Sequence, residues 1–158
     1  MPIDRALVLV LVASVTLFAV ARGGRPERLC ATVLVLGILA DRLYPVMIGE
    51  RDFNHFATSR MVFDLLQFAA YLGISLFANR VWPLWLSAAQ LVALTGSIAA
   101  LVIPDGINLA YWALTQLPLF IQVIALFVGT FAHWRRVRRI GNYNCWSPET
   151  PKLLTHDR

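Results

Sequence analysis

The feature that most constrains this chain is the arrangement of its apolar residues in long, nearly uninterrupted blocks. A helix needs about 20 apolar residues to cross the roughly 30 Å hydrocarbon core of a bilayer. Soluble amphipathic helices instead carry their apolar residues in a stripe on one side. With 58% hydrophobic and 15% charged residues, the chain also has too little charge to cover a soluble domain of its length. The pattern therefore predicts an all-α, polytopic membrane helix bundle.

Apolar blocks and turn-forming residues predict how the chain is divided. Five segments are predicted to span the membrane as helices: 6–21, 29–48, 61–78, 81–103 and 109–134. Their connections are mostly short and carry Gly, Pro, Asp or Asn, so consecutive helices should run antiparallel. Residues 1–139 are thus predicted to form a single transmembrane domain, and residues 140–158 an irregular cytoplasmic tail.

The basic residues predict the orientation, because cytoplasmic loops carry an excess of Lys and Arg. With five spans, ten of the fourteen basic residues fall on the side that holds the C-terminal tail. The N-terminus is therefore predicted outside and the C-terminus in the cytoplasm. An alternative with four spans follows if AVA before Arg22 is a signal-peptidase site. Cleavage there would place the arginine-rich 22–28 stretch and the tail outside, against the distribution of charge.

Two opposite charges, Asp41 and Arg42, interrupt the second segment. Insertion scales assign about 2.5–3.5 kcal/mol to an Asp or Arg at the bilayer centre, and less towards the interface. Adjacent residues on a helix do not face each other, so this pair cannot simply neutralise itself. Each charge is therefore predicted to have a partner on another helix.

Polar residues of the third and fifth segments are the candidate partners, and Asp64, Gln67 and Tyr71 share one helical face. The predicted outer-leaflet cluster consists of Asp41, Arg42, Arg60, Asp64, Gln67 and Gln116. One interpretation is a pocket for a small ligand, an ion or a lipid headgroup. A second is a set of mutually satisfied groups that fixes helix register. In a third, the second segment ends near Ala40, before Pro45, and both charges are solvated.

A second polar pair lies in the fourth and fifth segments. Gln90 and Gln122 are equally distant along the sequence from Gly106 in the intervening turn, so an antiparallel hairpin brings them to the same depth. An inter-helix hydrogen bond between the two amides is predicted. The alternative is a conducting path lined by glutamine. Pro118, in the fifth segment, is predicted to kink its helix.

The end of the fifth segment is strongly basic. Contact with anionic lipid headgroups at the cytoplasmic face is predicted for Arg135, Arg136, Arg138 and Arg139. The excess of basic over acidic residues is thus explained by membrane topology and by contact with lipid headgroups, and no nucleic-acid partner is predicted. Cys30 and Cys145 lack the spacing of a metal site, and no nucleotide-binding or catalytic motif is present. We therefore expect no metal, no cofactor, no catalytic residue and no enzymatic activity.

One stretch resembles known proteins. The run NRVWPLWLSAAQLVAL, followed by a helix ending in HWRRVRR, resembles a group of small uncharacterised multi-pass proteins of alphaproteobacteria over residues 41–139. The resemblance implies a location in the bacterial inner membrane. It implies no activity and assigns no functional residues.

Three classes of function remain. The first is a non-enzymatic accessory, assembly or scaffold component that packs against other membrane protein subunits. The second is a small oligomeric transporter or channel, or a binder of a lipid or small ligand, that uses the outer-leaflet cluster. The third is a membrane enzyme acting on lipid or quinone, for which His55 with Asp52 and Asp64 is the only candidate set. Small size and the absence of a soluble domain favour the first class.

Overall fold

The structure, a computed structural model, describes residues 5–48, 53–78, 80–102 and 108–140. These ranges hold five α-helices and no strand, which confirms the all-α prediction for the described part of the chain. The helices are α1 (Arg5–Arg22), α2 (Arg25–Ile48), α3 (Phe53–Phe77), α4 (Trp82–Val102) and α5 (Asn108–Ile140). Asp52 and the predicted tail beyond Ile140 lie outside the described residues, and so does the side chain of His55.

Helices α2, α3 and α5 extend well beyond the predicted segments. Helix α2 begins at Arg25 and continues through Asp41 to Ile48, the predicted end, so the chain stays helical past Ala40. Helix α3 begins at Phe53, which makes much of the predicted second connection helical. Helix α5 extends through Pro118 to Ile140, because its arginines favour helix and suit the negative end of the helix dipole.

The packing places four helices in a ring. Helix α3 packs against α2 and α4, and α5 packs against α4 and α2, while α1 lies against α2 and α5. Arg80, which links α3 to α4, contacts Glu27 at the start of α2 and His133 near the end of α5. The ends that carry these residues therefore lie together, and the ring helices alternate in direction. We call this end of the bundle the basic end.

Polar side chains are buried in this bundle together with apolar ones, and many large apolar side chains are exposed. The buried polar side chains are Thr16, Glu27, Ser75, Ser87, Gln90, Ser97, Gln122, Thr130 and His133. All five helices carry exposed large hydrophobic residues, with Phe77 73% and Val81 72% exposed at the α3–α4 link. The apolar core between the helices contains Leu34, Leu86 and Leu126, all nearly inaccessible to solvent.

Among the residues that the structure describes, two stretches are long and apolar enough to cross a membrane, Thr58–Phe77 and Gln116–Arg139, and a shorter apolar helix covers Ala6–Arg22. By length and composition alone they give weak support for membrane association, since the core helix of a soluble protein passes the same test. Only 11% of the apolar window in Thr58–Phe77 is buried inside the bundle, whereas a soluble core helix is mostly buried.

Close packing of α4 on α5 depends on Gly129. A Cβ at this position would lie 2.5 Å from Cδ2 of the Trp82 indole, a rigid ring system. We expect Gly129→Ala to lower the free energy of unfolding in mixed detergent micelles by about 1–3 kcal/mol. Gly73→Ala on α3 is the matched control, because no atom lies within 4 Å of the added Cβ. The control should raise stability by about 0.5–1 kcal/mol, so equal effects at the two positions would contradict the packing.

Candidate functional site

Polar side chains from three helices form a connected set in the middle of the bundle, which we call the interior polar chain. Its members are Asp64, Gln67 and Tyr71 of α3, Gln90 and Ser97 of α4, and Gln122 of α5. Within α3 and α4 the members are three, four or seven residues apart, so each helix presents its members on one face. The ring of helices directs these faces towards each other.

Asp64 anchors the first half of the interior polar chain. Gln90 donates a hydrogen bond from Nε2 to Asp64 Oδ1 at 2.9 Å. The hydroxyl of Ser97 donates to the other carboxylate oxygen, Oδ2. Both oxygens of Asp64 thus accept hydrogen bonds from α4. The carboxylate ties α3 to α4 without a cation in direct contact among the described residues.

The second half of the interior polar chain reaches α5. Gln122 donates from Nε2 to Gln90 Oε1 at 2.6 Å, which is the inter-helix bond that the hairpin geometry predicts. Tyr71 donates its hydroxyl to Gln122 Oε1 at 3.5 Å and accepts from Gln67 Nε2 at 3.2 Å. Gly37 of α2 leaves room for Gln67, because a Cβ there would collide with its amide. All four ring helices therefore contact the interior polar chain.

The six residues of the predicted outer-leaflet cluster are divided between separate hydrogen-bonded and ion-paired groups. Asp64 belongs to the interior polar chain, because its carboxylate turns to α4 and away from α2. Gln67 joins the same chain through Tyr71. Arg42 is exposed, and Gln116, half-buried on α5, makes no hydrogen bond to another described member. Sequence spacing does not predict the direction in which each helix turns these groups, because it carries no information on the rotation of one helix against the next.

The remaining two members form an ion pair between α2 and α3. Asp41 Oδ2 lies 3.6 Å from Arg60 Nη2, and both side chains are partly exposed. One turn along α2, the hydroxyl of Tyr44 accepts a hydrogen bond from Ser59 Oγ at 2.5 Å. The charge of Asp41 is therefore balanced by an arginine of the next helix and not by Arg42, its neighbour in sequence. This pair lies at the end of the bundle opposite the basic end.

A third polar group, which the sequence analysis missed, lies at the basic end. Glu27 is 0% exposed, and its Oε1 accepts a hydrogen bond from Arg80 Nη1 at 3.1 Å, with 12% of the arginine side chain exposed. Arg80 Nη2 lies 3.3 Å from His133 Nδ1. We call Glu27, Arg80 and His133 the basic-end triad. The sequence signals only a helix start here, because Gly23, Gly24 and Pro26 are typical of one and place Glu27 in the first turn; they do not indicate that Glu27 is buried.

The basic-end triad is closely packed. A Cβ at Gly24 would lie 3.0 Å from Glu27 Oε2 and 3.1 Å from the His133 ring. Oε2 of Glu27 is buried without a hydrogen-bond partner in the part of the chain that the structure describes. Among the same residues, no group of three or more His, Cys, Asp or Glu side chains is placed to hold a metal ion. The triad therefore joins three helix ends through charge.

The four arginines predicted to contact lipid headgroups are exposed on the last turns of α5. Two of them lie against aromatic rings of the same helix. The guanidinium carbon of Arg135 lies 5.9 Å from the Phe131 ring centroid, and that of Arg138 lies 4.0 Å from the Trp134 ring centroid.

Compared with models of known protein families, with curated proteins and with solved structures, the chain gives no match.

Proposed function

We propose that this chain is an integral membrane protein whose five helices all cross the bilayer. The observation that supports this proposal is the exposure of large apolar side chains on every helix, together with a set of polar side chains buried among the helices. In water, so extensive an exposed apolar surface is unfavourable for a monomer. In lipid, exposure of the same apolar surface carries no such penalty in free energy, whereas polar side chains need hydrogen-bond partners inside the bundle. The interior polar chain supplies such partners.

The proposed orientation places the basic end in the cytoplasm and the N-terminus outside. The exposed arginines Arg22, Arg25 and Arg28 flank the α1–α2 link, and those of α5 lie at the same end. Cytoplasmic loops carry most of the Lys and Arg of membrane proteins. The resemblance to multi-pass proteins of alphaproteobacteria supports the bacterial inner membrane as the location.

We propose a non-enzymatic role as an accessory, assembly or scaffold component of a larger membrane complex. The polar groups in the bundle interior support this role, because they are used in bonding to one another. Asp64 accepts from Gln90 and Ser97, and Gln122 joins Gln90 to Tyr71. The hydrogen-bonding capacity of these groups is thus used to hold the helices together. The apolar outer surface is available for contact with other membrane proteins.

The test is purification of the tagged full-length chain from native membranes in a gentle detergent, followed by mass spectrometry. We expect one or more membrane proteins in fixed stoichiometry with the chain, absent from a parallel purification of an unrelated tagged multi-pass protein. Cross-linking in intact membranes before extraction should give the same partners. A homogeneous species of this chain alone, with and without cross-linking, would contradict the proposed role.

A small oligomeric transporter or channel, or a binder of a lipid or small ligand, is the second candidate. One observation favours it: the Asp41–Arg60 ion pair is partly exposed, and Asp64 follows Arg60 by one helical turn towards the interior. Charged groups that lead from a surface into a bundle are typical of ion pathways in membrane proteins. Ion flux through liposomes that contain the purified chain measures this activity directly.

A further inference from the structure

A row of aromatic rings runs along the outside of α1 and α5 towards the basic end. Ring centroids are 5.8 Å apart for Phe18 and Phe127, 6.2 Å for Phe127 and Phe131, and 5.8 Å for Phe131 and Trp134. We call these four residues the aromatic ladder. Phe127 is 46% and Phe131 40% exposed, so the ladder presents ring surface to whatever surrounds the bundle.

Two arginines continue the aromatic ladder at its basic end. Arg135 and Arg138 follow Phe131 and Trp134 by four residues each, so they lie on the same side of α5. Each guanidinium lies near an aromatic ring, at 5.9 Å from the Phe131 centroid and 4.0 Å from the Trp134 centroid. Such cation–π contacts restrict the long side chains. The guanidinium N–H groups keep the planar geometry that matches phosphate oxygens.

We propose that the aromatic ladder and these two arginines form a binding site for one anionic phospholipid. The phosphate and the anionic headgroup lie at Arg135 and Arg138, and one acyl chain runs along the exposed rings. Charge complementarity selects the anionic headgroup, because the one acidic side chain described at the basic end, Glu27, is buried against Arg80. The inference rests on the proposed membrane insertion and adds a defined lipid site to it.

The test uses the full-length chain, delipidated in mild detergent and titrated with dioleoylphosphatidylglycerol or dioleoylphosphatidylcholine, with bound lipid counted by native mass spectrometry. We expect one phosphatidylglycerol to bind in preference to phosphatidylcholine. The double variant Arg135→Gln/Arg138→Gln should weaken phosphatidylglycerol binding about tenfold or more. The double variant Arg25→Gln/Arg28→Gln removes the same charge from exposed positions at the same end of the bundle and should retain most of the binding.

Two further variants separate the parts of the site. Arg135→Lys/Arg138→Lys keeps the charge but loses the planar guanidinium, so its affinity should lie between those of the native chain and the glutamine variant. Phe127→Ala removes an exposed ring of the ladder and keeps the rings that Arg135 and Arg138 contact, so it should weaken binding of both lipids and leave the ratio of their affinities unchanged. Equal losses in the two arginine-to-glutamine variants, or no preference between the lipids, would overturn the lipid site.

Carbonate extraction of the membranes distinguishes a failure of the proposed lipid site from a failure of the proposed membrane insertion. A chain that stays in the membrane pellet but shows no lipid preference contradicts only the lipid site. Release of the chain into the supernatant contradicts membrane insertion and the lipid site with it.

Discussion

Glu27→Ala is expected to lower the free energy of unfolding by about 3–5 kcal/mol, because it removes one partner of a buried ion pair. Glu27 is fully buried, and Arg80 would lose the carboxylate that lies 3.1 Å from its guanidinium. The remaining positive charge is costly at this position, since little of the Arg80 side chain reaches solvent. Unfolding of the purified chain in mixed detergent micelles measures the effect.

Arg28→Gln is the control for this prediction, because Arg28 lies one residue away from Glu27 and is exposed. It should change stability by less than about 0.5 kcal/mol. The double variant Glu27→Ala/Arg80→Ala should cost less than the sum of the two single variants, since neither charge is then left behind. Additive losses would show that the two side chains act independently and would contradict the basic-end triad.

The large effect expected for Glu27 contrasts with its inconspicuous place in the sequence. It lies in an arginine-rich link, where a single acid is typical of a solvated turn. Its burial follows from the packing of the α1–α2 link on α5 beside His133, a contact between residues more than 100 positions apart. Periodicity along one segment carries no information on such a contact, so the basic-end triad was not predictable.

The positions of the helices along the sequence and the pairing of residues across the α4–α5 hairpin were predictable. Apolar blocks separated by turn-forming residues located the five helices that the structure describes. Equal distances from Gly106 located the Gln90–Gln122 hydrogen bond, since a short turn fixes the depth of facing residues. The rotation of each helix about its axis was not predictable. For this reason Asp64 was grouped with Asp41, whereas the structure bonds it to Ser97.

Asp64→Leu is the second substitution with a large expected effect. Leucine would remove both carboxylate oxygens, leaving Gln90 Nε2 only the backbone carbonyl of residue 64 at 3.5 Å and the hydroxyl of Ser97 without its acceptor on α3. An unsatisfied donor costs about 1–3 kcal/mol, so the free energy of unfolding should fall by about that amount for Ser97 and by less for Gln90. Asp64→Asn should cost far less, because its carbonyl oxygen still accepts from Gln90 and its amide donates to Ser97, whose hydroxyl can turn to accept.

The double variant Asp64→Leu/Ser97→Ala tests one of these bonds by removing both of its partners. It removes the Ser97 donor together with its acceptor and keeps Gln90, whose Oε1 accepts a hydrogen bond from Gln122, so stability should recover in part relative to Asp64→Leu alone. A double variant less stable than Asp64→Leu would contradict a cost from the unsatisfied hydroxyl of Ser97.

Asp64→Asn also separates the two candidate functions, because it keeps the hydrogen bonds of the interior polar chain and removes the charge. If the chain is a scaffold, this variant should bind the same partners in the same stoichiometry as the native protein. If Asp64 serves an ion pathway, flux through liposomes should fall in Asp64→Asn, while Arg42→Gln, at an exposed position outside the interior polar chain, should leave it unchanged. Flux that survives Asp64→Asn would exclude a pathway through Asp64. The stability measurement is essential to this comparison, since only a folded variant separates the loss of a charge from the loss of the bundle.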